Sequence, residues 1–317
     1  MIRHKEFLAS DFEEVNELIR ESLDPNGIIV NDSSYELFQY GGKKIRPTFT
    51  LLVGRLGERH LHDDVIRAGA SLELIHMASL VHDDIIDDSK LRRGQDTVFY
   101  EHGYLQAVNT GNYLLSTSLE LVGTIEHEKL HDAFSAAMKD IVSGELFQFD
   151  QQFNAEQTLD DYYKKIYRKT ALLIELSIEM GAYAARVKDE DLDALLKYGY
   201  HIGMSFQIID DCLDFTGDEK NLGKPKFSDL ENGHYTLPVL LLKDSDPLFK
   251  EKLSEFREDR SIRDSLIRQL LSSDAIPESI RISGGHIEEA KAAIKDIDEP
   301  IRTYLFQIAE KLANRLN

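Results

Sequence analysis

The chain has 317 residues, 42% of them hydrophobic, which is enough for a large buried core and excludes global disorder. Its 37 lysines and arginines stand against 57 aspartates and glutamates, a net charge of -20, which excludes the basic footprint a nucleic-acid partner needs. A single cysteine, Cys212, excludes an internal disulfide framework and fits a reducing, cytoplasmic setting.

Helical periodicity dominates, and only 7 prolines and 19 glycines interrupt it. The opening stretch is charged and amphipathic, without the apolar core of a signal peptide. Residues 11–23 predict a helix, with Phe12, Val15, Leu18 and Ile19 at near-helical spacing. Residues 35–40 and 46–56 flank a Gly41-Gly42 break, and 66–91 form a long uninterrupted window that stops near Gly94. Further helical windows run over 104–122, 128–151, 158–186, 190–215 and 235–244. No alternating strand pattern and no repeat is visible, and no apolar run is long enough to span a membrane, so any membrane contact is peripheral. The stretch from Thr216 to Pro238 reads as a functional loop, and the charged sequence beyond Asp244 as peripheral helices. The expected architecture is all-α, one domain over residues 1–317.

Two clusters carry the chemistry. On a helix turning about 100° per residue, Asp83, Asp84, Asp87 and Asp88 fall within about 140° of one another. Ile85 and Ile86 are expected to point the other way, into packing. Asp210, Asp211 and Asp214 repeat the spacing, with Gln207 among them and Cys212 opposite, in the core. One such match in an acidic protein is most simply a solvated helix face. Two of them, each inside a strongly apolar window, are costly unless cations neutralise the carboxylates. Clustered hard oxygen donors suit Mg2+, which completes its shell with water and substrate phosphate. A calcium loop starting at Asp189 fails, because Ala194 stands at its glycine position and Tyr200 at its glutamate position.

Cationic donors accompany the acids. Lys43, Lys44 and Arg46 follow the Gly41-Gly42 break, and Arg92-Arg93-Gly94 lies one to two turns beyond the first cluster, where a guanidinium can reach back to a bound phosphate. Each motif alone is an ordinary basic patch. With the acids they make a site for a doubly anionic group.

The segments GGKKIRP, ELIHMASLVHDDIIDDSKLRRG, GELFQ, KTA, GMSFQIIDDCLDF, LGKP and DLENGHYTLP, in that order, resemble the trans-polyprenyl diphosphate synthase family over nearly the whole chain. Within it, HMASLVHDDIIDD and FQIIDD resemble the catalytic component II branch of bacterial heptaprenyl diphosphate synthases. The resemblance implies antiparallel helices around a deep central cavity and the condensation of isopentenyl diphosphate onto an allylic diphosphate, with the two clusters on facing helices. It implies that Asp83, Asp84, Asp87, Asp210, Asp211 and Asp214 hold Mg2+ on the allylic diphosphate, that Arg92, Gln148, Lys169 and Lys224 contact the same group, and that Lys43, Arg46, His76 and Arg93 bind isopentenyl diphosphate. Thr170 and Gln207 would sit beside the developing allylic cation. Wheel geometry agrees for two of these: His76 falls about 20° and Gln207 about 60° from the aspartates' direction. The chain departs from the family at Asn112, Phe227 and His234, where Asp, Gly and Lys are usual.

The small residues Ala78 and Ser79, one turn before the first cluster, imply room for an elongating tail and a medium-to-long product, hexa- to octaprenyl, built on a farnesyl or geranylgeranyl primer for a quinone side chain. The alternatives are a shorter-chain synthase, a class I terpene cyclase or a non-catalytic synthase subunit. A cyclase needs no second diphosphate pocket, and a non-catalytic subunit has no reason to keep all six aspartates. The expected partners are the two diphosphate substrates, a membrane surface for product release, and either a second copy of the chain or a small regulatory subunit.

Overall fold

The computed structural model describes residues 4–23, 33–34, 36–38, 44–92, 94–217 and 226–316. Among the described residues, after a short helix over His4–Phe7, the α-helices in chain order are α1 (Ala9–Ser22), α2 (Ile45–Gly54), α3 (His62–Ile86), α4 (Val98–His102), α5 (Tyr104–Gly123), α6 (Glu128–Asp150), α7 (Leu159–Ile166), α8 (Leu172–Ala184), α9 (Asp189–Thr216), α10 (Ser228–Glu231), α11 (Leu237–Ser245), α12 (Pro247–Glu255), α13 (Arg263–Leu271), α14 (Ala275–Ala293) and α15 (Ile301–Ala313). The all-α expectation holds. The chain forms two compact units: residues 1–135, 176–193 and 297–304, and residues 136–175, 194–296 and 305–317.

In the first unit α3 is the central helix. Asp63 and Asp64 in its first turn favour the positive end of the helix dipole. Its middle, from Val65 to Val81, is buried on nearly every side, so it shows almost no amphipathic periodicity. Small residues let neighbours approach. A Cβ on Gly54 of α2 would lie 2.5 Å from the Val65 side chain, and one on Gly111 of α5 would lie 2.3 Å from the His82 ring. Ser71 of α3 and Ser118 of α5 pair their buried hydroxyls at 2.9 Å, satisfying two polar groups within the core.

The long window predicted to run to residue 91 ends at Ile86. Asp88 turns into the left-handed region (φ 49°), and the Ser89 N–H closes onto the Asp84 carbonyl at 2.9 Å. A two-residue antiparallel hairpin follows, β1 (Leu91–Arg92) with β2 (Gln95–Asp96), which the absence of any alternating pattern did not anticipate. Because the helix stops early, Ile86 is 61% exposed and does not pack inward as expected.

In the second unit the core gathers Tyr162, Ile208, Cys212, Phe215, Tyr235 and Leu240 with apolar side chains from α12, α13 and α14. Cys212 is fully buried, as expected. The segment beyond Asp244 is not merely peripheral: Phe249, Leu253, Phe256, Leu266 and Leu270 recur at helical spacing beneath its charges and are all buried. The window 158–186, read as continuous, is divided. A Thr158/Asp161 capping box starts α7, and a π-helical turn from Tyr167 to Ala171 separates it from α8. Gly203 of α9 permits this turn: a Cβ there would lie 2.3 Å from the Ala171 Cα. Neither Gly nor Pro marks the bulge in the sequence.

Candidate active site

Each unit carries one aspartate cluster. In the first, Asp83 and Asp87 lie one turn apart at the end of α3, half-buried and exposed respectively, while Asp84 between them is buried. Burial raises the Asp84 carboxyl pKa. Arg92 opposes this by donating from Nε and Nη2 to Asp84 Oδ1 at 2.8 and 2.7 Å. The β1–β2 turn makes this return possible: Thr97 starts α4 by accepting from the Tyr100 N–H at 3.1 Å and donates to the Ser89 carbonyl at 2.7 Å. Arg92, Asp84, Glu73 and His76 line one cavity.

Ser79 donates to the His76 carbonyl at 2.9 Å, and Ala78 beside it is buried. Arg46 sits half-buried in the first turn of α2. Lys44, preceding it at positive φ (48°), donates to Asn16 and lies 4.9 Å from the Phe38 ring centroid. Its pKa is lowered by burial, with Glu73 opposing. Lys43, Arg93 and Lys224 lie outside the described residues, as do Gly41 and Gly42. Asn112 is exposed on α5.

The second cluster places its three carboxylates in three environments. Asp210 is partly exposed, and the Arg315 guanidinium, stacked 4.9 Å from the Phe206 ring centroid, lies 2.7 Å from its Oδ1. Asp211 is buried and accepts from the Tyr162 hydroxyl at 2.7 Å and from Gln207 Nε2 at 2.8 Å. Burial pushes its pKa up to about 7, and Asp229 adds to the rise, while Gln207, Tyr162 and Lys165 oppose it. Asp214 is fully buried and accepts from the Ser228 hydroxyl at 3.0 Å and the Asp229 N–H at 3.3 Å, tying α10 to α9.

The π-helical turn presents Lys169 and Thr170, a use to which such bulges are often put. Lys169 Nζ donates to Gln148 Oε1 at 2.9 Å, so two residues implicated by resemblance meet. The Thr170 hydroxyl donates to Gln207 Oε1 at 2.6 Å, joining another such pair. Phe227, standing where glycine is usual, holds positive φ (65°), the conformation that favours glycine there. Its ring lies 6.0 Å from that of Phe215 and under the Arg263 guanidinium. His234 is half-buried, and its N–H donates to the Asp229 carbonyl at 2.7 Å.

Three participants were missed in the sequence: Tyr162, Lys165 and Arg315. Tyr162 and Lys165 lie on α7 one turn apart, a spacing that points to a shared face but not to Asp211 as the target. Lys165 is buried, with its pKa lowered to about 8 by desolvation, and donates to the Tyr235 carbonyl at 3.0 Å. Arg315 gives no local signal at all.

The donor chemistry fits a hard divalent cation. The carboxylates of Asp83, Asp87 and Asp210 reach solvent in a protein already rich in negative charge, and no soft ligand accompanies them. An all-α protein with two such clusters and adjoining cationic donors has the makings of an isoprenoid synthase. The polyprenyl synthetase family model matches residues 29–273. Heptaprenyl diphosphate synthase component 2 from Bacillus subtilis (strain 168) is 36% identical over 312 residues, covering 98% of this chain and 89% of that protein. The protein of the same name from Geobacillus stearothermophilus is 37% identical over 286 residues, covering 90% of this chain and 89% of the relative. The crystal structure of heptaprenyl diphosphate synthase from Staphylococcus aureus superposes with a TM-score of 0.93 at 37% identity, covering 98% of this chain and 99% of that one. The chain belongs to the polyprenyl synthetase family. It is an enzyme, a trans-prenyltransferase of the medium- to long-chain class that works with a divalent metal. Among the described residues no helix is long and apolar enough to cross a membrane.

Proposed function

We propose that this protein condenses isopentenyl diphosphate with farnesyl or geranylgeranyl diphosphate, in a Mg2+-dependent reaction, to give an all-trans hexa- to octaprenyl diphosphate. The observation that carries the reading is the pairing of roles within each cluster. Asp83, Asp87 and Asp210 reach solvent, Asp210 with the Arg315 guanidinium beside it, while Asp84, Asp211 and Asp214 are buried and held by Arg92, by Tyr162 with Gln207, and by Ser228 with the Asp229 N–H. Within each cluster the carboxylates would hold metal, the solvent-reaching ones meeting it most directly and the buried ones, fixed by their partners, setting the geometry on offer. Bound Mg2+ would supply charge neutralisation for the departing allylic diphosphate.

The chain's own residues do the rest. Lys169, with Gln148, and Arg92 stabilise charge building on the leaving group; Arg46 and His76, with Lys43 and Arg93, orient isopentenyl diphosphate. Thr170 and Gln207 present polar atoms beside the developing cation. Apolar walls, to which Phe38, Met77, Leu80 and Val98 of the cavity beside Asp84 would contribute, must keep water from quenching it, and the released diphosphate takes the proton that restores the alkene.

The working form is an oligomer inside the cytoplasm, a homodimer or a pair with a small unlike subunit, and residues 1–317 act as one synthase domain. Relatives called component 2 and an exposed apolar row on α6 (Val142, Leu146 and Phe149) support association. The test is incubation of the purified protein with Mg2+, labelled isopentenyl diphosphate and each primer, followed by sizing of the products. Asp83→Ala and Asp210→Ala should each lower turnover by about a thousandfold or more with the fold retained. Near-normal turnover in either variant overturns the assignment.

A further inference from the structure

Asp211 is held from both of its oxygens. Tyr162 donates to Oδ2 at 2.7 Å, and Gln207 donates to Oδ1 at 2.8 Å. The Gln207 amide is itself oriented, because Thr170 donates to its carbonyl oxygen at 2.6 Å. Three elements therefore converge on one buried carboxylate: α7 through Tyr162, the π-helical turn through Thr170, and α9 itself through Gln207.

Tyr162 has no exposed surface, and the carboxylate oxygen 2.7 Å away can only accept, so its hydroxyl is the donor. Lys165, one turn along α7, lies 5.6 Å from the Tyr162 ring centroid and is anchored on the Tyr235 carbonyl. The ring thus has a fixed seat. A buried tyrosine hydroxyl often satisfies itself on a backbone carbonyl, as Tyr198 does on Leu305 at 2.8 Å. Tyr162 differs because its acceptor is a carboxylate adjoining Asp210, the one member of the cluster that reaches solvent.

We propose that Tyr162 is a positioning residue of the metal site: its hydroxyl clamps Asp211 and thereby sets the geometry that the α9 aspartates offer a divalent cation. This rests on the reading of the second cluster as metal-binding. Outer partners of a liganding carboxylate restrict its rotation, and their removal weakens metal binding more than it disturbs the fold.

Tyr162→Phe keeps the buried ring and deletes only the donor, and circular dichroism verifies that the helices remain. Two metal readouts are needed: the Mg2+ concentration for half-maximal turnover, and Mn2+ bound in the presence of an unreactive allylic thiodiphosphate, counted by electron paramagnetic resonance. Both should weaken by about tenfold, with KM for isopentenyl diphosphate held within about twofold. Wild-type Mn2+ binding in Tyr162→Phe overturns the proposal, even if turnover falls equally at every metal concentration. Asp210→Ala separates the two levels. If it binds Mn2+ and turns over as wild type does, the metal reading itself falls and the inference with it. If it loses both while Tyr162→Phe keeps wild-type metal behaviour, only the role of Tyr162 falls.

Discussion

Arg92 places Nε and Nη2 on a single oxygen of Asp84, at 2.8 and 2.7 Å, so the guanidinium of the hairpin is committed to a buried carboxylate at the end of α3. This pairing gives Arg92 two tasks, opposing the desolvation that raises the Asp84 pKa and facing the cavity it lines with His76. Arg92→Ala should leave Asp84 buried without its counter-charge and destabilise the protein by about 2 kcal/mol. Turnover should fall by about a hundredfold. Arg92→Lys should recover little of either, because an ammonium cannot reproduce the two-nitrogen contact. Thermal unfolding and steady-state turnover of both variants check this, and full rescue by lysine would show that charge alone suffices.

What the sequence revealed and what it concealed divide along a physical line. Helix positions followed from apolar spacing, and the aspartate clusters from one regular turn angle, because both are local properties of the chain. The π-helical turn at Tyr167–Ala171 was invisible because no residue within it marks a bulge, and the glycine that lets it pack closely, Gly203, lies on another helix. The different environments of Asp210, Asp211 and Asp214 were hidden for a similar reason, since Arg315, Tyr162 and Ser228 are distant in sequence from the carboxylates they meet. Ile86 was misplaced because the stop at Asp88 depends on a left-handed residue that is not glycine. Residue types at a site were legible. Which of them face a ligand and which hold the others in place was not.

Val142, Leu146 and Phe149 form an i, i+4, i+7 row on α6 and are 61, 66 and 67% exposed. Three large apolar side chains in line on one face favour a protein partner over open water. Phe149→Glu, and more strongly its combination with Leu146→Glu, should shift the sedimentation coefficient of the purified protein towards the single chain. Monomeric behaviour of the unaltered protein, with association restored only by an unlike subunit, would assign the row to a heteromer.

His286 of α14 and His201 of α9 set their Nδ1 atoms 2.9 Å apart, so protonating both rings forces like charges together. Burial first, and His201 next, lower the His286 pKa to about 4, with Glu289 opposing. His201 is lowered as well, by burial and Lys197, again against Glu289. The unfolded chain therefore takes up its proton near pH 6.5, before the folded one does. Stability attributable to this pair is present above that pH and lost as the pH falls towards 4. Allowing for the partial exposure of His286, the loss is about 1 kcal/mol. Thermal melts of the metal-free protein from pH 7.5 to 4 should show the decline, and His286→Phe should flatten it.

Ala78 is buried on α3, five residues before Asp83, and Ser79 beside it spends its hydroxyl on the His76 carbonyl. A growing polyprenyl tail would need apolar volume near the site where its diphosphate is held, and on the proposed reading a small residue at position 78 would leave room for it. An aromatic ring at position 78 would occupy it. Ala78→Tyr should therefore shorten the products while leaving the first condensation intact. Inserting a ring into a packed helix face also costs stability, by about 1 to 3 kcal/mol, so the comparison belongs at a temperature where both proteins are folded. Labelled isopentenyl diphosphate with a farnesyl primer, and chromatographic sizing of the dephosphorylated products, gives the answer. A shift to shorter chains with comparable early turnover supports a steric floor, and an unchanged distribution places the length limit elsewhere in the protein.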